Sequence, residues 1–343
     1  MRLIVSLLAT ILFVCSCNEN GNRHRTVQPA FYYWKSNFSL SAFENQKIDS
    51  LQIKKLYVKF FDIGWSMFSH QPMPIAQLRV ADKKSLRRFD VIPTVFITNE
   101  CIYNLREEQV QLLAGEIVLL LNGMFAVNDI RPVREVQIDC DWTAQTRERY
   151  FKLLVAIKSM LNGPKLSATI RLHQVKYVDK TGIPPVDRGM LMCYNMGNLT
   201  NRATRNSIIE VEEMKKYTAG LNSYPLALDV AFPMFEWCVL FRNNNFKGLI
   251  ENFDVAQLQA SFSTKDKNIF TLQKDTLLAG YQFKKGDLLR YEASNIETVQ
   301  DAAKEISREL KTDTLRVSLY HLDSITLKKY SVYEMETIFN GMR

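Results

Sequence analysis

The segment EVQIDCDWT, residues 135–143, predicts a buried strand at 135–142 that carries acidic side chains near its end. Side chains alternate across a strand, so Gln137, Asp139 and Asp141 face one side, while apolar residues face the other. The apolar side suits packing beneath helices, which leaves both Asp residues on the inner side of a curved sheet. The segment therefore predicts one unit of a parallel sheet that carries carboxylates at its open end.

Runs of strand and helix length alternate along the rest of the chain. The other predicted strands are 30–34, 55–65, 90–98, 165–173, 189–195, 224–232 and 315–322. The predicted helices are 107–121, 147–161, 208–217, 295–310 and 331–339. This alternation predicts an α/β protein, a closed (β/α)8 TIM barrel, with a doubly wound open sheet as the alternative. Residues 243–292 fit the repeat poorly and predict an insertion between the seventh and eighth units.

The beginning of the chain has the features of a lipoprotein signal peptide. A short charged start precedes an apolar run, Leu3–Val14, which is too short to span a bilayer. Val14–Cys17 resembles a bacterial lipobox, so residues 1–17 predict a signal that ends at a lipidated Cys17. An ordinary secretory signal is the alternative. The predicted location is the cell envelope, with a lipid anchor in the outer membrane or at the cell surface.

Residues 18–28 are polar and predict a tether, which leaves residues 29–343 as the folded domain. The net charge of +8 is spread along the chain, and short basic clusters are flanked by acids. Such clusters indicate a solvated surface, so no nucleic-acid partner is predicted for an exported protein. The cysteines beyond the signal form no C-x-x-C pair, and no glycine-rich phosphate loop follows the first strand. The sequence predicts no metal and no cofactor.

Reactive side chains of such a barrel should follow the carboxyl ends of its strands. Asp139 is either a structural or a functional acid, and Asp141, which lies nearer the mouth, is expected to be functional. On the fifth strand, Arg171 faces inward and is expected to pair with Asp139. His173 faces the same way and is either a structural histidine or a residue of the mouth.

The sixth and seventh strands add further candidates. Tyr194 and Asn195 end the sixth strand, and Glu236 and Trp237 follow the seventh. A tryptophan beside a carboxylate offers a sugar ring a stacking face and a polar partner, unless Trp237 is buried under the insertion. Weaker candidates at other strand ends are Asp62, Lys35 and His321.

Two of these strand ends resemble those of a known family. Residues 139–143 are similar to the fourth-strand motif D-x-x-D-x-D-x-E of chitinase-like, family-eighteen glycoside hydrolases, and residues 192–195 to their M-x-Y-D. The resemblance implies a (β/α)8 barrel and hydrolysis assisted by the acetamido group of the substrate. It also implies that Asp139, Asp141 and Tyr194 occupy family positions. The whole sequence resembles uncharacterised lipoproteins of gut-type bacteria that are grouped with glycoside hydrolases.

The chain departs from the family pattern at three positions. Val136, Thr143 and Asn195 stand where the family has Asp, Glu and Asp. Threonine cannot protonate a leaving oxygen at neutral pH. One hypothesis is therefore a glycoside hydrolase with a relocated acid, in which Asp141 and Glu236 form the carboxylate pair. The other hypotheses are a catalytically inactive glycan-binding lipoprotein and a structural lipoprotein.

Overall fold

Eight parallel strands close into a barrel in the computed structural model, which describes residues 25–130, 132–251, 262–266, 268–278 and 280–343. These strands are β1 (Thr26–Tyr33), β2 (Lys55–Ser66), β3 (Asp90–Ile97), β4 (Glu135–Asp139), β5 (Lys165–Arg171), β6 (Arg188–Met192), β7 (Leu228–Pro233) and β8 (Thr314–Tyr320). Each strand pairs with the next, and β8 pairs with β1. The predicted (β/α)8 barrel is confirmed, and the open sheet is excluded.

Helices follow the strands on the outside of the barrel. The longer ones are Ala42–Ser50, Val110–Asn128, Arg147–Met160, Val211–Thr218, Ile296–Glu309 and Val332–Asn340. Shorter ones are Lys83–Leu86, Asn99–Asn104, Leu172–Lys176, Val178–Thr181 and Ser324–Leu327, with 3-10 turns at Glu107–Gln109 and Leu221–Ser223. Ser41 and Ser331 begin two of the longer helices with capping boxes, which satisfy the first backbone N–H groups.

The helix predicted at 107–121 is longer than expected and continues to Asn128. By length and composition alone, Glu107–Asn128 is apolar enough to cross a membrane. In the structure it packs along the barrel, with less than half of its most apolar stretch buried.

The first strand begins earlier than predicted. β1 starts at Thr26, because residues 26–31 pair in parallel with 314–319 of β8, so residues 26–28 belong to the strand and not to the tether. The Arg25 guanidinium fixes this start by donating to the carbonyls of Leu310 and Thr312, at 2.8 Å each. The signal peptide, Cys17 and tether residues 18–24 lie outside the described residues and stay predictions.

A second sheet stands between β7 and β8. Its antiparallel strands are Glu236–Arg242, Asn245–Glu251, Phe262–Asp266, Ile269–Leu272 and Leu288–Ala293, with a small hairpin of Thr276–Leu278 and Tyr281–Phe283. The sheet begins at Glu236, ahead of the insertion predicted at 243–292. Buried Arg290 donates to Glu292 at 2.6 Å and to the carbonyl of Asn201 at 2.7 Å. This contact ties the second sheet to the loop after β6.

The second barrel unit lacks a long helix. β2 runs on beyond the barrel and turns back as the antiparallel strand Gln71–Ile75. The chain returns to β3 through Arg79–Val80, which pairs with Asn37–Phe38, and through the four-residue helix Lys83–Leu86. A hairpin therefore stands on the outside of β2, where the other units carry helices.

Charged side chains fill the N-terminal end of the barrel. Arg316 of β8 pairs with Glu135 of β4 and lies 3.5 Å from Asp229 of β7. Arg188 of β6 donates to Asp229 at 2.8 Å. Because Asp229 is fully buried, its pKa is raised to about 6 despite the two arginines. This cluster closes the end of the barrel opposite to the mouth.

Candidate functional site

The alternation predicted for β4 is confirmed. Gln137 is buried inside the barrel, where it accepts a hydrogen bond of 2.6 Å from Tyr32 of β1. Asp139 and Asp141 follow on the same side, toward the C-terminal ends of the strands. The outward residues Val136, Ile138, Cys140 and Trp142 are all buried. The inner positions of β4 therefore lead from the barrel interior to its mouth.

Asp139 lies at the floor of the mouth and is 8% exposed. Thr169 of β5 donates a hydrogen bond of 2.6 Å to its Oδ1. Burial, and then the charge of Asp141, raise the pKa of Asp139 to about 6. Asp139 can therefore carry a proton close to neutral pH, which an ordinary aspartate cannot.

Arg171 pairs with Asp141, so the predicted pair of Arg171 with Asp139 is wrong. Its Nε and Nη2 donate to the two oxygens of Asp141 at 2.5 and 3.0 Å, as a bidentate pair. The parallel register explains this choice: Gln137 lies beside Ser167, so two and four residues later Asp139 faces Thr169, and Asp141 faces Arg171. Asp141, predicted to be a functional acid, is held by this arginine.

The raised pKa of Asp139 predicts a pH-dependent stability. The folded chain binds this proton more tightly than the unfolded chain, so the stabilisation is lost as the pH rises through about 6. Asp139→Asn does not titrate, so relative to wild type its free energy of unfolding should increase between pH 4 and pH 7, by roughly 2 kcal/mol. Urea denaturation across this range measures the difference.

A second variant tests the same titration of Asp139. The hydrogen bond from Thr169 favours the ionised form of Asp139, so Thr169→Val should move the transition to higher pH. Parallel pH profiles for wild type and Asp139→Asn would contradict the assignment of the raised pKa to this residue.

Four aromatic rings meet above Asp139 at the ends of four strands. The ring centroid of Tyr320 lies 5.6 Å from Trp34, 5.4 Å from Tyr194 and 5.8 Å from Phe235. Together with Asp139, Asp141 and Arg171, these rings line a cavity of about 770 Å³, which we call the mouth cavity. The Tyr194 hydroxyl donates to the sulfur of Met192 at 3.2 Å. The mouth cavity thus combines flat apolar surfaces with carboxylates.

Glu236 reaches the mouth cavity but is held by two neighbours. Lys329 forms an ion pair with it, and the Tyr291 hydroxyl donates to it at 2.6 Å. Lys35, a weaker candidate, likewise pairs with Asp323, at 2.9 Å. Each cation that lines the mouth cavity, within the described residues, is therefore already bound to a carboxylate.

Trp237 does not offer the exposed stacking face that was predicted. It is 7% exposed, and its Nε1 donates to Glu292 at 2.8 Å. Its ring packs against Phe235, with 5.2 Å between centroids. The alternative, burial under the insertion, is confirmed, because the second sheet begins at Glu236 and draws Trp237 into its own packing.

The remaining predicted residues lie at the edges. Asn195 lines the mouth cavity with a left-handed backbone, φ 56°, which asparagine tolerates, and its N–H donates to Ile208 at 2.7 Å. His173 is exposed on the helix Leu172–Lys176 and lines a side pocket of about 180 Å³ with Asn195. Asp62 pairs with Lys59 at 3.1 Å beside the cavity. His173 and Asp62 do not line the mouth cavity.

Strand-end aromatic residues are what the sequence reasoning missed. Tyr32 faces the barrel interior, and Trp34, two residues later, is the next inward position at the end of β1. Tyr320 is likewise the inward position after Ser318 on β8. The alternation that identifies Asp139 identifies both, whereas the sequence-based candidates at these two strand ends are their neighbours Lys35 and His321. The contact of Lys329 with Glu236 had no sequence signal, because it joins residues far apart in the chain.

The sequence matches no family model and no curated protein. Solved structures are nevertheless similar in fold. The spore cortex-lytic enzyme SleL of Bacillus cereus has a TM-score of 0.54 at 12% identity, over 93% of this chain and 75% of that chain. A chitinase of Chromobacterium violaceum has a TM-score of 0.52 at 12% identity, over 93% of this chain and 98% of that chain. The Bacillus megaterium SleL has a TM-score of 0.52 at 12% identity, over 92% and 74%.

These likenesses concern the fold. They confirm the chitinase-like (β/α)8 barrel that the strand motifs predicted, and they give the chain a glycoside hydrolase-like architecture.

Proposed function

We propose that this protein binds a glycan in the mouth cavity. The observation that carries the proposal is the group of four aromatic rings beside the carboxylates. A sugar ring needs an apolar face to stack on and polar groups at its edge, and the cavity supplies both. Its volume of about 770 Å³ lies in the range of small-molecule sites. The fold shared with a chitinase also supports a carbohydrate ligand.

The ion pairs of the mouth favour binding over hydrolysis. A glycosidase needs two carboxylates, one of which delivers a proton to the leaving oxygen. Asp141 is held by Arg171, and Glu236 by Lys329, so both members of the expected catalytic pair accept bonds from cations. Thr143 stands where the resembled family has its acid.

Hydrolysis is the second candidate, and one observation favours it. Asp139 has a pKa of about 6, and a carboxyl group protonated near neutral pH can act as a general acid. In that case Asp139 would deliver the proton, and Asp141, oriented by Arg171, would stabilise the charge that develops on the sugar.

One experiment separates these functions. The full chain is titrated by calorimetry with host, plant and bacterial oligosaccharides, and each mixture is then assayed for new reducing ends. Binding without cleavage is the expected result. Cleavage that Asp139→Asn abolishes while binding persists would favour the hydrolase, because the amide keeps the shape and loses the proton. A panel with neither binding nor cleavage would contradict both functions and favour a structural lipoprotein.

We also propose that the domain is held at the cell envelope by lipid on Cys17. The support is the apolar run Leu3–Val14, which ends in a lipobox-like sequence. Arg25 begins the described chain at the closed end of the barrel, so residues 18–24 would form the tether, and the mouth would open at the other end.

A further inference from the structure

An apolar groove runs along the outside of the barrel. It lies between the hairpin of β2 with Gln71–Ile75 and the helix Val110–Asn128, beside the second unit, which lacks a long helix. Its volume is about 1100 Å³, larger than the mouth cavity. Apolar side chains on both walls include Phe61, Ile63, Met73, Leu113, Ile117 and Met124.

Large apolar side chains also stand exposed on the two elements that form the groove. Phe68, at the turn of the hairpin, is 98% exposed, and its neighbour Met67 is exposed as well. Leu112, Leu119 and Val127 are exposed along the helix. We call these five residues and the groove the hairpin–helix surface. Leu112, Leu119 and Val127 line the groove, and Met67 and Phe68 stand at the turn of the hairpin that forms its other wall. Large exposed apolar surfaces on a folded domain mark contacts with another molecule or with a membrane.

Positive charge borders this surface. Arg79, Lys83 and Lys84 are exposed, and the first two line the groove, whereas Glu116 is the acid among the described residues that line it. Lys83 donates to the carbonyl of Val127 at 2.8 Å, so its charge lies at the end of the exposed helix face. Cations beside an apolar surface complement anionic lipid headgroups. A second copy would bring the same cations to a symmetric interface, which like charges oppose.

The position of the chain start agrees with a nearby bilayer. β1 pairs with β2, and β2 with β3, so these three strands start at the same end of the barrel. The helix Val110–Asn128 ends shortly before β4 starts, so Val127 and its partner Lys83 lie near this end, whereas the hairpin turn with Phe68 follows the opposite end of β2. A tether of residues 18–24 spans at most about 25 Å when extended. An anchor at Cys17, which belongs to the proposed function, would therefore keep the barrel close to the membrane.

We propose that the hairpin–helix surface lies on an anionic phospholipid bilayer. Phe68 and Met67 enter the acyl region, Leu119 and Val127 rest at the boundary, and Arg79, Lys83 and Lys84 contact headgroups. The barrel then lies on its side, and the mouth cavity opens parallel to the membrane surface.

The test measures the depth of labelled positions in a bilayer. The full chain, isolated from membranes, is reconstituted in vesicles of phosphatidylglycerol and brominated phosphatidylcholine. Bimane is attached to Phe68→Cys or Leu119→Cys, and to Tyr333→Cys as the matched control, since Leu119 and Tyr333 are both 74% exposed. The native cysteines of the described domain are buried and should not react. Brominated acyl chains should quench bimane at 68 and 119 at least twofold more than at 333.

Each of the following outcomes would contradict the proposal that this surface lies on a bilayer. Equal quenching at the three positions in vesicle-bound chain would reject the docking and leave the anchor standing. A chain that stays out of the vesicle fraction would reject both. A dimer in detergent that Leu119→Ser dissociates, without quenching by lipid, would assign the surface to a second copy. Glycan titrations of the same samples report the proposed binding function independently.

Discussion

An Arg316→Met variant should lose about 3–5 kcal/mol of its free energy of unfolding. Arg316 is the cation between Glu135 and Asp229 at the closed end of the barrel, where both acids are buried. Removing its side chain leaves Glu135 without its cation, and leaves Asp229 with the cation of Arg188 and the backbone N–H of residue 316. A buried carboxylate that loses its cation must either remain charged in a poor solvent or take up a proton, and both cost stability.

Chemical denaturation at pH 7.5 measures this loss, and an exposed ion pair supplies the matched control. Arg87 and Asp129 are paired at 2.5 Å, but both side chains are well exposed. Arg87→Met should therefore change the free energy of unfolding by less than about 1 kcal/mol. Equal effects of the two substitutions would show that the closed end of the barrel is no more sensitive to charge than its surface.

Trp34→Ala should weaken glycan binding about 30-fold, or about 2 kcal/mol. Trp34 directly follows β1 on its inner side, packs against Tyr320, and its ring centroid lies 5.6 Å from the ammonium of Lys59. It is half-buried, so one part of the ring holds its position while another part faces the mouth cavity. Alanine would remove a flat surface of a kind that aromatic residues supply to sugar rings.

The ligand found by the oligosaccharide panel serves for this measurement. Trp34→Phe should keep part of the affinity, because a smaller ring still stacks. Tyr333→Ala, which removes an exposed ring from the helix Val332–Asn340, should leave binding unchanged. Thermal melting checks that each variant is folded. Wild-type affinity in folded Trp34→Ala would mean that the glycan binds elsewhere.

Local patterns were enough to predict the barrel and the inner face of β4. Side chains alternate along β4, and its apolar residues had to face the surrounding helices. Gln137 and Asp139, which lie between them, were therefore predicted to face the barrel interior, where they are buried. Strand ends were less predictable. β4, β5 and β6 end before their predicted bounds, so Asp141 and Tyr194 lie in the loops just beyond their strands, and His173 lies on the short helix that follows β5.

The partners of the site residues were not predictable from local patterns. Trp237 is buried because Glu292, 55 residues away, accepts its N–H. Glu236 is paired because Lys329 reaches it from the chain after β8. Such contacts depend on how the second sheet sits on the barrel, which periodicity does not encode. The pairing of Arg171 with Asp141 was accessible in principle, because it follows from in-register strands β4 and β5.

The pairing of β1 with β8 also sets an order of events during synthesis. Thr26 pairs with Thr314, and Phe31 with Leu319. One edge of the first strand can therefore pair only after nearly the whole chain has been synthesised. At about 5–20 residues per second, a ribosome needs some 15 s or more to supply that partner. Until then β1 and β7 each leave one edge unpaired, and unpaired edges join other chains readily. Translation and barrel closure are thus separated in time, and a chaperone that guards this nascent chain would have two sheet edges to cover.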